Sequence, residues 1–370
     1  MPDPRHERIE RTQAALAAAG TGALLLGPSS DLRWLLGYDP PPLERLTMLV
    51  VPAAGDVHLV VPVLEAPLAE EHLSDLGIKV LAWHETEDPV ALVGASLAAA
   101  GAAGGELAVG DQLWASFLLR LQAALPAAAW RPGGTVTGPL RRRKDAAELD
   151  ALTRAGAAID TVIEQLGDLV AVGRSELEVA ADLDRAIRAA GHERTNFTIV
   201  GSGPNGASPH HIAGPRRIQP GDAVVVDIGG RLDGYCSDTS RTVVVGEPDP
   251  AFVAMYELLK AAQEAGCQAV RPGVTAASVD AACREPITAA GYGERFLHRT
   301  GHGIGLDEHE DPYIVAGNEQ PLEPGMAFSV EPGIYLAGRW GARIEDIVVC
   351  TEDGGRRLNS TGRDLVVIAP

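Results

Sequence analysis

Lysine is nearly absent from this chain, with Lys79, Lys144 and Lys260 the only three in 370 residues. Lysine and arginine together number 31 against 50 acidic residues, a formal charge of −19. That balance excludes nucleic acid and anionic membrane surfaces as partners, because both require a basic face. The one basic cluster, Arg141-Arg142-Arg143-Lys144, runs straight into Asp145, Glu148 and Asp150 and reads as a helix start. No apolar run is long enough to span a bilayer. Cysteine is scarce too. Cys236, Cys267, Cys283 and Cys350 show no CxxC spacing, which fits a reducing cytosol; Cys236 reads as a small buried hydrophobe. The opening MPDPRHERIE carries charge and no apolar h-region, so a cytoplasmic protein is expected. Walker A, HExxH and GxSxG patterns are missing.

What the chain does have is acid in apolar surroundings. Asp227 ends the run Ala223-Val224-Val225-Val226, which reads as a buried strand. Asp238 follows eleven residues later. Glu331 comes after Phe328-Ser329-Val330, and Glu345 sits in Arg343-Ile344-Glu345-Asp346-Ile347-Val348-Val349, again strand-like. A lone Asp in a turn is an ordinary cap, and a lone His302 in a Gly-rich loop an ordinary core residue. Four carboxylates on apolar strands are different, because such groups are almost never buried unpaired. Two divalent cations explain all four together with His302. An oxygen-rich set with one nitrogen suits Mn, Co, Fe or Zn, and the lack of thiolate argues against a structural zinc site. Two metals about 3.5–4 Å apart can share a water, lower its pKa toward about 7 and clamp a tetrahedral intermediate.

Gly201-Ser202-Gly203-Pro204-Asn205-Gly206 matches G-x-G-x-x-G after the strand-like stretch 197–200. The dinucleotide fingerprint needs a helix opening on the glycines, and Pro209, Pro215 and Pro220 leave no room for one. The segment reads as a glycine loop that delivers His210 to a cleft.

The organisation is in two parts. A helix is expected over 5–20, strands over 23–26, 47–51 and 58–63, and a turn or short helix start at Asp31-Leu32-Arg33-Trp34. Helix and strand patterns alternate to about residue 130, as in an α/β domain. Trp130-Arg131-Pro132-Gly133-Gly134 marks the boundary, giving domains of 1–132 and 133–370. A long amphipathic helix is expected over 146–170. The second part repeats at an offset of 100: Gly173 with Gly273, Val179 with Val279, Ile187 with Ile287, and Ala189-Ala190-Gly191 with Ala289-Ala290-Gly291. Each copy is a Gly turn, a helix and a terminating Gly. A pseudo-twofold α+β domain with a site between its halves accounts for this.

The blocks DIGG…SDTSRT, HRTGHGIG, EPGIY and RIEDIV, in this order across roughly 150–365, resemble the pita-bread metallopeptidases: prolidases, aminopeptidase P and methionine aminopeptidase. The resemblance implies an α/β N-terminal domain followed by an α+β pita-bread domain with pseudo-twofold symmetry. Position by position it implies Asp227 on one metal, His302 and Glu331 on the other, and Asp238 and Glu345 bridging. It also places His210, His298 and His309 outside the metal shell, while His211 matches no family role. The implied reaction is attack of a bridging hydroxide on the scissile carbonyl of an Xaa-Pro bond. Glu331 would then move the proton to the leaving nitrogen, with the histidines as donors to the developing oxyanion. Arg343, two residues before Glu345, would share its strand face and pair with a ligand carboxylate or with substrate.

The ~130-residue first domain resembles that of prolidases and aminopeptidase P, which favours a dipeptidase on short proline-containing peptides over an aminopeptidase P acting on longer ones. A creatinase-like C–N hydrolase shares the two-domain fold without metal, and non-enzymatic relatives tend to lose ligands; the ligand set here is complete. One departure stands out. Some prolidases carry Arg shortly after the second cleft histidine, where this chain has Tyr313. The stiff loop Tyr38-Asp39-Pro40-Pro41-Pro42 with Glu44-Arg45 is therefore expected to cover the cleft, from a partner subunit in a homodimer. Arg45 would meet the substrate carboxylate and Asp39 its amino group.

Overall fold

The structure, a computed structural model, describes residues 3–370. The chain divides into Met1–Arg141 and Arg142–Pro370. In the first unit, helix α1 (Pro4–Ala18) begins where the Asp3 carboxylate accepts from the backbone N–H of Arg5 and Pro4 presets φ. Strands β1 (Ala23–Leu26), β2 (Met48–Pro52), β3 (His58–Pro62), β4 (Lys79–Trp83), β5 (Glu106–Val109) and β6 (Ala129–Pro132) form one sheet, in the order β4-β3-β2-β1-β5-β6. Helices α2 (Ser30–Leu36), α3 (Ala66–Leu73), α4 (Pro89–Ala99), α5 (Ala115–Ala124) and α6 (Gly134–Arg141) complete an α/β domain. Central β1, Ala-Leu-Leu-Leu, is buried throughout, as a continuous apolar run in a doubly covered sheet requires. Helix α6, which the sequence boundary assigned to the second part, lies in the first unit.

The second unit opens with α7 (Ala146–Ile163), whose Asp145 and Glu148 form a reciprocal capping box. Where one helix was expected over 146–170 there are two, α7 and the short α8 (Leu166–Leu169). Ile163, Leu166 and Val170 all enter one core, so the apolar period runs across the break and conceals it. Then come α9 (Glu176–Ala189), β7 (Arg194–Ser202), β8 (Ala223–Leu232), β9 (Tyr235–Val245), α10 (Pro250–Ala269) and α11 (Ala276–Ala289). Helices α9 and α11 are the two copies of the repeat. Gly173 and Gly273 precede them with φ of 83° and 84°, a left-handed turn that a side chain would strain.

Strands β7, β8 and β9 pair antiparallel, and the last strand, β17 (Val366–Ile368), runs parallel to β9. Val224, Val226 and Ile228 on one face of β8 pack with Ile159, Val162, Leu183 and Ile187; burying each such side chain contributes about 1.5–3 kcal/mol. The second sheet takes β10 (Gly301–Gly303), β11 (Glu310–Ile314), β12 (Ala327–Val330), β15 (Asp346–Thr351) and β16 (Gly354–Arg357) in the order β11-β10-β12-β15-β16. Phe328 and Val348 pack there with Leu259, Val279 and Ile287 of α10 and α11. The hairpin β13 (Gly333–Leu336) and β14 (Trp340–Arg343) stands between the β12 and β15 strands in sequence. Gly301 is required at the β10–β12 contact, where a Cβ would lie 1.8 Å from the Ser329 carbonyl oxygen. Lys144 is buried, its Nζ 2.5 Å from Glu310 Oε1.

Candidate metal centre

The two aspartates reach one face of the first sheet by register. Asp227 on β8 pairs with Ser240 on β9, and Gly229 pairs with Asp238. Residues two apart share a face of a strand, so both carboxylates point away from the α7–α9 core. The two glutamates come from the second sheet. The β12–β15 ladder ends at Val330 opposite Asp346, and Glu331 and Glu345 are the next residue on each side. Glu345 is thus not inside a strand and does not share one with Arg343: β14 ends at Arg343 and β15 starts at Asp346. The chain breaks at Ile344-Glu345 because the Glu345 N–H donates to the Ser240 carbonyl of β9, which locks the second sheet's ligand against the first. His302 on β10 is fixed by its N–H, which donates to Ser329 Oγ at 3.0 Å, and Ser329 Oγ donates in turn to Glu331 Oε1 at 3.0 Å.

These side chains meet in a cavity of about 440 Å³ that also takes in Phe197, Ile199, Pro209, His210, His298, Arg299, Glu308, His309 and Arg343. Asp238, His302 and Glu345 offer ligand atoms all within 4.8 Å of one another. His302 Nε2 lies 3.2 Å from Glu331 Oε1 and 3.7 Å from Asp238 Oδ2. His302 Nδ1 donates to the Gly303 carbonyl at 3.2 Å, which leaves Nε2 as the ring nitrogen facing two carboxylates, where a cation would take it as a ligand. Asp227 Oδ1 is buried with no hydrogen-bond partner, another group a cation would satisfy. Burial, and then the charges of Asp227 and Glu331, push the Asp238 carboxyl well above its usual range; burial, and then Asp238, do the same to Glu345. Burial raises Glu331 as well, but His302, His298 and Arg343 outweigh that and hold it at about 2. The donor set therefore fits divalent metal.

Around this cluster, Arg343 donates from Nη2 to Asp227 Oδ2 at 2.5 Å, from Nε to Ser240 Oγ at 2.8 Å and from Nη1 to Tyr335 Oη at 2.8 Å. Of the two partners expected for Arg343 from sequence, a carboxylate of the cluster or substrate, the carboxylate of Asp227 is in contact here. Tyr335 Oη also sits 2.8 Å from His298 Nε2, which makes it a site residue that the sequence reading passed over although it lies inside EPGIY. Burial depresses His298, and burial with neighbouring His302 brings His309 down to about 4. The His309 ring stands 3.7 Å from that of His302. His210 is on the cleft wall and exposed. Arg299 and Glu308, also unforeseen, line the same cavity. Arg299 stacks over the Tyr313 ring at 4.3 Å, and its guanidinium has no carboxylate partner among the described residues. Asp39 and Arg45 lie in the first unit, where Asp39 accepts from Arg33 and Arg45 donates to Glu44 and Glu85.

Carboxylates on two facing sheets around an imidazole, with neutral histidines beside them, define a metal-dependent hydrolase. Residues 150–352 match metallopeptidase family M24, and residues 8–142 match the creatinase/prolidase N-terminal domain. The chain belongs to family M24 and is a peptidase, its second unit carrying the pita-bread fold. It is 49% identical over 366 residues to a probable dipeptidase PepE of Mycobacterium tuberculosis, covering 98% of this chain and 96% of that one. It is 35% identical to an Xaa-Pro dipeptidase of Lactobacillus helveticus, with 97% and 98% covered. The crystal structure of dipeptidase PepE from Mycobacterium ulcerans superposes with a TM-score of 0.94 at 49% identity, covering 99% and 98%.

Proposed function

We propose that this peptidase is a cytoplasmic, homodimeric dipeptidase that cuts Xaa-Pro bonds with two divalent ions of the Mn, Co or Zn kind. The observation that carries the reading is the buried set Asp227, Asp238, His302, Glu331 and Glu345 lining one cavity. Asp227 would hold one ion, His302 and Glu331 the other, with Asp238 and Glu345 shared. Bound there, the ions supply Lewis acidity at the scissile carbonyl and a water of lowered pKa.

The protein's own groups then divide the remaining work. Glu331, held ionised, is a proton acceptor beside the reacting water and can return that proton to the leaving proline nitrogen. His309, neutral at pH 7 with its pKa brought down to about 4, offers an N–H to the carbonyl oxygen or the scissile nitrogen without adding charge, whereas His298, whose Nδ1–H donates to the Arg299 carbonyl at 2.7 Å and whose Nε2 faces Tyr335 Oη, must exchange one of these partners to do so. His210 lines the same cavity. Arg343 orients Asp227. A cavity of about 440 Å³ lies at the small end of ligand sites and suits a dipeptide. Arg299 is a wall cation suited to the dipeptide's carboxylate, whereas Asp39 and Arg45 must exchange their present partners to act on substrate. No helix among the described residues is long and apolar enough to cross a membrane, and all four cysteines are free and buried.

The test is kcat/KM for Ala-Pro, Ala-Pro-Ala and creatine under Mn, Co and Zn, with Arg45→Ala and Arg299→Ala alongside. Cleavage of Ala-Pro alone, weakened in KM by loss of the anchoring arginine, is the expected result. Preference for the tripeptide would instead make it an aminopeptidase. A monomer of 38.7 kDa in sedimentation would remove the dimer.

A further inference from the structure

Glu176 is a fully buried carboxylate that the reaction does not use. It stands at the start of α9 and looks like an ordinary first-turn acid. Its oxygens, however, are wholly engaged by the last residue of β7 and the irregular segment that follows it. Oε1 accepts from the Ser202 N–H at 2.8 Å, Ser202 Oγ at 2.7 Å and Asn205 Nδ2 at 3.0 Å. Oε2 lies 2.8 Å from His211 Nε2 and accepts from the Gly214 N–H at 3.1 Å. These bonds outweigh burial and keep the carboxyl below its usual range.

The far limb of the segment 203–222 is fixed by Ile218 in the core and by backbone bonds of Ile218 and Gly221 to Arg174 and Val245, whereas the stretch 208–212 has little else to hold it. Ile212 is 88% exposed. Backbone bonds from α9 reach only the far limb, with the N–H groups of Glu176 and Leu177 donating to the carbonyls of Arg216 and Gly214. Arg216 bridges Asp222 and Ser202 Oγ, so Ser202 joins that limb to Glu176. Between the limbs sit the groups that matter to the cleft, Pro209, whose carbonyl accepts from Arg343 Nη1 at 3.3 Å, and His210. Ile218 anchors the far limb in the core and Ala213 packs against it, but 208–212 between the limbs has no buried apolar side chain; such a stretch takes its position from polar anchors, and a buried carboxylate satisfied on both oxygens is a stiff one.

We infer that Glu176, with His211 as its outer partner, is the positioning residue that sets His210 in the cleft. This rests on the reading above in one respect, that His210 contacts substrate. His211, which matched no family role, is thereby accounted for. Glu176→Gln keeps the volume and most acceptor capacity of Oε1 but turns an amide N–H₂ toward His211 and the Gly214 N–H.

The experiment is a double-mutant cycle of Glu176→Gln with His210→Ala, together with hydrogen exchange of 203–222 and metal content. Glu176→Gln is expected to lower kcat roughly 10–100-fold, the scale of a misplaced group, at nearly constant KM and full metal. Exchange in 203–222 should rise while β8 and β9 stay protected. The double variant should be no slower than His210→Ala, because a residue acting through another is non-additive with it. Multiplying losses, or unchanged exchange in the loop, would overturn the inference. If Glu176→Gln yields no folded protein, His211→Gln removes one bond from the same anchor and must show the same non-additivity, with a smaller loss. Should His210→Ala keep full kcat, the role of His210 falls and this inference with it, while metal-dependent Ala-Pro cleavage still decides the dipeptidase reading separately.

Discussion

Arg343 at the end of β14 and Asp227 on β8 form a buried ion pair of 2.5 Å, and the pairing divides the labour of the Asp227 carboxylate. Oδ2 is committed to the guanidinium, while Oδ1 is left buried with no protein partner. Arginine thus fixes Oδ1 as the oxygen of Asp227 left without a protein donor, the one that would meet a cation.

Replacing Arg343 by Ala would strand the Asp227 charge and remove donors from Tyr335, Ser240 and the Pro209 carbonyl. Breaking a buried pair on one side costs about 3–5 kcal/mol. Urea unfolding of Arg343→Ala should show a loss of that size, and Arg343→Lys should recover little of it, since one ammonium cannot span partners set around a planar fork. Stability within about 1 kcal/mol of the parent, where most surface substitutions fall, would mean the cluster does not depend on this pair.

Asp238→Ala and Glu345→Ala are each expected to abolish turnover and reduce bound metal, because a shared ligand serves both ions. Metal analysis of purified variants checks this directly. Near-normal turnover with two metals bound in either variant would refute the assignment.

His298→Ala and His309→Ala should retain metal and lose kcat by roughly 10²–10³-fold each, the usual cost of a missing oxyanion donor. Tyr335→Phe should mimic a mild His298 loss, since its hydroxyl contacts His298 Nε2 at 2.8 Å. If metal leaves with either histidine, that residue is a ligand.

Removing the metals should make stability depend on pH in a definite direction. In the metal-free protein Asp238 and Glu345 have raised pKa values from burial and then from neighbouring carboxylates, Asp227 and Glu331 for the first and Asp238 for the second. Between the ordinary carboxylate range and those raised values, the folded state holds protons that the unfolded state has lost, so stability falls as pH rises. Each pKa unit of difference is worth about 1.4 kcal/mol. Glu331, held at about 2, acts oppositely, but its contribution is already complete above pH 5. The melting-temperature gap between Mn-loaded and EDTA-treated protein should therefore widen from pH 5 to 8. A constant or narrowing gap would show that the carboxylates find relief without cations.

The strand that ends its valine run at Asp227 was legible because three valines in a row permit little else, and the repeat was legible because glycines at φ near 84° cannot be exchanged freely. Glu345 was harder. Its flanks, Ile344 and Ile347-Val348-Val349, are as apolar as a strand, yet the break between β14 and β15 depends on a hydrogen bond to Ser240, more than 100 residues away. Glu176 was hidden for a different reason. Ser175 and Glu178 form a complete capping box around it, so the local pattern explained the helix start and left nothing over. Arg299 and Glu308 are neighbours of recognised motif residues, but only the fold shows that their side chains line the same cavity.

The burial of Lys144 against Glu310 has a practical corollary. Lys260 is engaged by Glu257 and Asp364, which raise its pKa, whereas Lys79 lies exposed at the start of β4. Among side-chain amines, acylating dyes and cross-linkers should therefore concentrate on a single address in the first unit. The enzyme can in this way be tethered or fluorescently tagged through native chemistry, with its peptide-cutting unit unmodified.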